Sequence, residues 1–112
     1  MKLSETLGLK ESELEEIVNT LASFENVERA IVYGSRAKGN YKPFSDVDLT
    51  LYGRELTQMD ILHIADRFED SYLPYMFDIS DFSKLTNPDL IDHIKRRGIT
   101  IFEKLEIQRN HT

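Results

Sequence analysis

The chain contains no cysteine. Without a thiol there is no disulfide, no thiolate metal ligand and no cysteine nucleophile, and the composition fits a reducing compartment. Long hydrophobic runs are missing too. No window approaches the ~20 consecutive apolar residues needed to cross a bilayer. The first ten residues carry Glu5 and too short an apolar run for a secretory signal. The expectation is a soluble cytoplasmic protein. Positive charge is scarce: 14 Lys and Arg stand against 20 Asp and Glu, a formal net charge of −6. Broad nucleic-acid binding needs a basic face, so no direct nucleic-acid contact is expected. Repeats, low-complexity tracts and an internal linker are also absent.

What remains is 112 residues, 40% of them apolar, which is one domain's worth over 1–112 with enough apolar material for a core. Residues 1–9 and 106–112 read as loose ends. Leu14, Ile17, Val18, Leu21 and Ala22 recur at i, i+3, i+4, i+7 and i+8 and predict an amphipathic helix over 11–24. Residues 30–33 form a short buried-strand run stopped by Gly34, and 47–52 alternate with period two as a strand ended by Gly53. Thr57 can cap a helix over 58–70 with Met59, Leu62, Ala65 and Phe68 turned inward. A third strand is expected over 75–82. Asn87, Pro88 and Asp89 mark a helix start. That helix closes on Lys95, Arg96, Arg97 and Gly98, with Gly98 as a left-handed cap. A last strand follows at 99–103. Alternating elements of this kind predict an α/β (α+β) domain with helices packed on one sheet of about four strands. A right-handed crossover through the helix at 58–70 would make the strands at 47–52 and 75–82 parallel.

Three features carry chemistry. Gly34 and Ser35 end a strand and begin the tight turn Gly34-Ser35-Arg36-Ala37-Lys38-Gly39. Gly34 lets a ligand approach the backbone, N–H groups at a helix start favour an anion, and Arg36 and Lys38 add positive charge. A phosphate is the natural guest. Asp46 and Asp48 lie two residues apart, so a strand turns both carboxylates to one face, where they repel unless a cation stands between them. Such hard oxygen donors select Mg²⁺ or Mn²⁺. Asp78 interrupts the apolar run of the third strand, between Phe77 and Ile79, and parallel pairing would bring it beside the other two. Three carboxylates beside a phosphate-holding turn suit two-metal phosphoryl transfer.

Each feature alone also has a plain explanation. Asp46 could be a solvated strand end, Ser45 a turn residue and Asp78 an exposed strand position. Asp81, between Ser80 and Ser83, reads as a cap. Asn40 and Tyr41 occupy the positions where a Walker A loop needs Lys and Ser or Thr. Leu51 and Thr57 occupy the positions where an EF-hand starting at Asp46 needs Gly and Glu. His63, His93 and His111 share no ligand spacing and read as surface or helix-face residues. Residues 72–76 cluster Tyr72, Leu73, Pro74, Tyr75 and Met76. This composition suits either an interface or the ordinary packing of a strand's start.

Gly34-Ser35, ten intervening residues and Asp46-x-Asp48 resemble the G-S-x10-D-x-D signature of the DNA polymerase β-like nucleotidyltransferases. The wider strings Tyr33 to Gly39 and Ser45 to Leu49 resemble its minimal branch, which includes antitoxins. The resemblance implies a palm-like domain with a mixed sheet. It implies that Gly34, Ser35, Arg36 and Ser45 bind the nucleotide, that Asp46, Asp48 and Asp78 are the catalytic residues holding two Mg²⁺ ions, and that ATP is the substrate. Asp78 would also help deprotonate the acceptor hydroxyl. Minimal members pair with a separate helical protein of the HEPN class, and in several pairs the enzyme acts as antitoxin by attaching AMP to a toxin tyrosine. A non-catalytic nucleotide- or partner-binding module, and the catalytic half of a two-subunit small-molecule nucleotidyltransferase, remain open beside this reading, as does homodimerisation.

Overall fold

The computed structural model describes residues 1–104. The expected loose end at 106–112, with His111, lies outside the described residues. The strand run around Ala30 becomes β1 (Arg29–Tyr33) and the alternating segment becomes β2 (Val47–Tyr52). The third strand is β3 (Phe77–Asp81), and β4 (Ile99–Glu103) closes the chain's described part. The four form one sheet in the order β3-β2-β1-β4. β1 runs antiparallel to β2 and β4, while β2 and β3 are parallel. The parallel pair was expected from the order of elements and the mixed sheet from the family resemblance.

Period two separates the sheet's faces. Ala30, Val32, Val47, Leu49 and Leu51 join one buried cluster with Ile17 and Leu21 of α2 (Glu11–Ala22) and Ile61, Ile64 and Phe68 of α4 (Gln58–Glu69). The other face carries Ile31 and Tyr33, packed with Ile94 of α5 (Pro88–Arg97). No helix among the described residues is long and apolar enough to cross a membrane.

The helix ends follow their local chemistry. Thr57 Oγ1 accepts from Asp60 N–H at 3.1 Å, and Asp60 Oδ2 accepts from Thr57 N–H at 3.0 Å, a reciprocal capping box. Asn87 Oδ1 accepts from the N–H groups of Asp89 and Leu90, with Pro88 in the first turn. Gly98 departs from expectation. Its φ of −63° and ψ of 146° are extended, not left-handed. Glycine is needed there for room, since a Cβ would stand 2.5 Å from Ile31 Cγ2 and 2.4 Å from Ile94 O.

Two other expectations are corrected. In α4 the buried row is Ile61, Ile64 and Phe68, while Met59 and Leu62 are 57% and 50% exposed. Both rows have helical spacing, and packing against β3 and α2 selects the isoleucines. The segment 1–9 is not loose. It forms α1 (Leu3–Leu7), and Leu7 and Leu9 belong to the main core. Burying a leucine such as Leu7, at 0% exposure, is worth roughly 2 kcal/mol. Five residues are too few for a periodic signal, so only the tertiary partner described below fixes them.

Candidate active site

The parallel register sets Asp48 directly beside Asp78, and the antiparallel register sets Tyr33 beside Asp48 on its other side. Side chains at paired positions share a face, so Tyr33, Asp48 and Asp78 form one row across three strands. Below it lie Ile31, Thr50 and Ser80, with Ser80 Oγ 3.0 Å from Thr50 Oγ1. Below that lie Arg29 and Tyr52, with the guanidinium over the Tyr52 ring and Phe82 stacked on it at 4.5 Å. The lower rows are packing. The top row holds the acids.

Asp48 is half-buried, and Asp46 and Asp78 are exposed. Burial pushes the Asp48 carboxyl above the usual carboxylate range, and the charges of Asp78 and then Asp46 push it further. Among the described residues no Lys or Arg forms an ion pair with any of the three. The Tyr33 hydroxyl is also pushed up, first by burial and then by Asp78, with Asp48 adding to the effect. The row is therefore a focus of uncompensated negative charge.

The glycine turn closes onto this row. Gly34 has φ 74° and ψ −150°, a region open in practice only to glycine. A Cβ on Gly34 would stand 2.2 Å from Asp48 Oδ2. Backbone and carboxylate therefore share one small space that no side chain can enter. α3 (Ser35–Lys38) starts at once, with the N–H groups of Ala37 and Lys38 donating to Gly34 O. Ser35, half-buried, presents a hydroxyl with no hydrogen-bond partner among the described residues.

Arg36 and Ser45 were expected among the nucleotide-binding residues, and the structure gives both another job. Arg36 is 0% exposed. Its Nη1 donates to Leu7 O at 2.9 Å and Gly8 O at 3.0 Å. Its Nη2 donates to Ser45 O at 2.8 Å and Pro43 O at 3.3 Å, and Nε donates to Ser45 O at 3.2 Å. The guanidinium lies 4.7 Å from the Tyr75 ring centroid and 5.5 Å from that of Tyr41. Its five N–H donors are thus used on carbonyls that tie the segment before α2 and the loop before β2 to the glycine turn. Ser45 Oγ accepts from Lys42 N–H at 2.8 Å and shapes that loop as a turn residue.

Asp81 caps the following 3-10 turn, accepting from Ser83 N–H and Oγ, as expected. In the 72–76 cluster, Leu73 and Tyr75 pack on the core, whereas Tyr72 and Met76 are exposed. His93 does more than line a helix face: its Nε2 accepts from Gly34 N–H at 3.0 Å, and its ring meets Tyr33 edge-on at 6.1 Å. The sequence alone places Tyr33 in the buried strand and the family string and His93 on a surface or helix face, and gives neither a part in the site. Tyr33 looked like the end of a buried strand, although its position directly before Gly34 was a usable signal. Nothing local marks His93, because α5 brings it back from 59 residues away.

The donor set fits a hard divalent cation. Asp48 and Asp78 pair across adjacent strands and Asp46 stands directly before β2, its charge bearing on Asp48 with no basic partner, although among the described residues no three His, Asp or Glu side chains are gathered closely enough to hold a metal by themselves. Mg²⁺ is normally held by one or two carboxylates completed by substrate phosphates.

A sheet of this order, with a glycine–serine turn against a carboxylate row, defines a nucleotidyltransferase-type palm. The chain belongs to the polymerase beta nucleotidyltransferase family, whose model matches residues 15–107. It is 33% identical over 75 residues to the protein of Haemophilus influenzae named "Probable protein adenylyltransferase MntA". That match covers 64% of this chain and 63% of the relative, so the chain spans less than two thirds of the relative's length. Among solved structures it resembles a toxin–antitoxin crystallised with AMP-PNP, at TM-score 0.68 and 16% identity, covering 86% of this chain and 77% of that one. It also resembles the complex of a tri-AMPylated Shewanella oneidensis HEPN toxin with its MNT antitoxin, at TM-score 0.63 and 14% identity, covering 88% and 76%. At these identities the likeness is one of fold.

Proposed function

We propose that this domain transfers AMP from ATP to a tyrosine hydroxyl on a HEPN-type partner protein, and so acts as the antitoxin of a cytoplasmic toxin–antitoxin pair. The observation that carries the reading is the meeting of Gly34 with Asp48, which joins the phosphate-type turn to the acid row in one site. Family membership and the similarity to an adenylyltransferase support it.

Gly34 and Ser35 bind the triphosphate: the glycine, lacking a side chain, makes room for the Asp48 carboxylate against the turn, and the Ser35 hydroxyl donates to a phosphate oxygen. The acceptor oxygen attacks the α-phosphorus as the bond to the bridging oxygen breaks. AMP is then esterified to the acceptor and pyrophosphate leaves. The hydroxyl proton passes to Asp78, which is exposed at the strand edge of the row and so open to an incoming protein. Asp46, Asp48 and Asp78 would hold two Mg²⁺ ions. When bound, these ions supply charge neutralisation for the triphosphate and acidify the attacking hydroxyl. Asp48 is central because it lies against the turn and feels the charge of both other acids.

The test is intact-mass spectrometry of a co-purified partner after incubation with ATP and Mg²⁺. The expected result is a gain of one or more AMP units with the wild-type domain and none with Asp48→Ala. An unmodified partner, in an intact complex that still binds ATP, would instead make the domain a non-catalytic binding module.

A further inference from the structure

Gly34 holds its unusual backbone conformation because both of its peptide groups are engaged. Its carbonyl accepts from the start of α3, and its N–H donates to His93 Nε2 at 3.0 Å. An amide can only donate, so Nε2 must be the bare nitrogen of a neutral ring. The rest of the contact is apolar: the ring stands edge-on to Tyr33, and its neighbour Ile94 is buried against Ile31 and Tyr33. α5 is thereby latched to the turn at one polar atom.

We propose that His93 is a positioning residue for the nucleotide. It acts through Gly34 by fixing the Tyr33–Gly34 peptide, which sets the φ of Gly34 and so the direction in which the chain enters Ser35, and it does not touch the ligand. Three features favour this over simple packing. Conformations like that of Gly34 persist only where the surroundings over-determine them. The contact is a directed hydrogen bond to the very residue whose missing side chain leaves room beside Asp48. The latch also comes from an element that supplies none of the acids, so it can set the turn without disturbing the carboxylate row. Without the acceptor, Gly34 N–H would be free to rotate toward water, and the turn would sample orientations that misplace the Ser35 hydroxyl.

This rests on the reading of the turn as an ATP site, and two substitutions separate the acceptor from the ring. His93→Phe keeps the edge contact with Tyr33 and places a carbon where Nε2 stands. His93→Gln loses the ring and restores an acceptor at similar reach. The measurements are the affinity for AMP-PNP with Mg²⁺ by calorimetry and the amide proton shift and exchange rate of Gly34 by NMR. The expected result is about a tenfold loss of affinity in His93→Phe, the factor a single lost hydrogen bond gives. It should come with faster Gly34 exchange, and His93→Gln should stay within about threefold of wild type. If His93→Phe fails to fold, His93→Asn, too short to reach Gly34, takes its place with the same expectation. Wild-type affinity in the acceptor-less variant overturns the proposal, and so does a His93→Gln variant as weak as His93→Phe. If the wild-type domain binds no AMP-PNP, the ATP reading fails as well, which sets that failure apart from the other two.

Discussion

Replacing Arg36 by Met should destabilise the domain by about 3 kcal/mol, although no carboxylate partner is lost. The substitution keeps the length and apolar stem and removes the cation. Four carbonyls then lose their donors. Leu7 O stays buried when the donor goes and Ser45 O partly so, so the cost is that of under-satisfied groups and not the near-neutral exchange of a whole ion pair for apolar residues. Gly8 O and Pro43 O belong to partly or fully exposed residues and can recover water. Leu7 O and Ser45 O, at 2.9 and 2.8 Å, are the strong contacts. A hydrogen bond to a charged group is worth about 1.5–3 kcal/mol, so two at the lower figure come to roughly 3 kcal/mol. The guanidinium over Tyr75 adds about 0.5–1 kcal/mol, which the relief of burying a charge offsets. With a urea m-value near 1.2 kcal/mol/M, the unfolding midpoint should fall by about 2.5 M. Amide protection should fall first in 1–9 and 39–45, the two segments that the guanidinium joins. Arg36→Lys should lose nearly as much, because one ammonium cannot span carbonyls on both segments. A midpoint within about 0.5 M of wild type, or loss of protection spread evenly over the fold, would refute the account of Arg36 as a structural tie.

Asp48→Asn should abolish transfer yet raise stability at neutral pH. The wild-type carboxyl is held above its ordinary range by burial and by Asp78 and Asp46, so the folded state binds its proton more tightly than the unfolded state. Stability from this group is present below the unfolded pKa and is lost as pH rises through the folded value. The variant's advantage in Tm should therefore grow as pH rises above the ordinary carboxylate value of about 4, and a variant less stable than wild type at neutral pH would contradict this. Gly34→Ala should cost about 1–3 kcal/mol for its backbone alone and drive Asp48 Oδ2 from its place. AMP-PNP binding should then fall below detection by calorimetry, and retained affinity would show that the turn and Asp48 do not share one site.

Much of the fold was legible because its signals are local. The Asn87-Pro88 start, the Thr57 cap and the period-two run of β2 each depend on a few adjacent residues, and the elements appear where those residues put them. The acid row was legible because two local facts combine. β2 holds Asp48, with Asp46 directly before its first residue and not on the strand as expected, and the crossover makes β2 and β3 parallel, which brings Asp78 into register with Asp48. The failures share a different cause. In α4, Met59 and Ile61 both start rows of helical spacing, and nothing in the helix itself says which row meets the sheet. The segment around Leu7 is too short to show a pattern. Arg36 displays its charge in the sequence, but what surrounds that charge comes from Leu7, Gly8 and Ser45. His93 reaches Gly34 only once α5 has packed on β1.

The placement of Arg36 bears on the charge of the acid row. Arg36 stands one residue from Ser35 in a chain short of positive charge, and its guanidinium could have neutralised a nearby carboxylate. Its donors go instead to carbonyls, and among the described residues no cation pairs with Asp46, Asp48 or Asp78. A carboxylate already bridged to Arg has less lone-pair capacity and less charge to offer a metal–phosphate complex. Keeping the charges apart leaves the Asp48 carboxyl raised first by burial and then by the charges of Asp78 and Asp46, and that costs stability. The same guanidinium helps offset the cost by fastening Leu7 and Leu9 into the core. Stability and ligand capacity therefore oppose each other at Asp48 and are reconciled at Arg36. If so, Asp48→Asn should recover part of what Arg36→Met loses when the two are combined. A double variant no more stable than Arg36→Met alone would break that link.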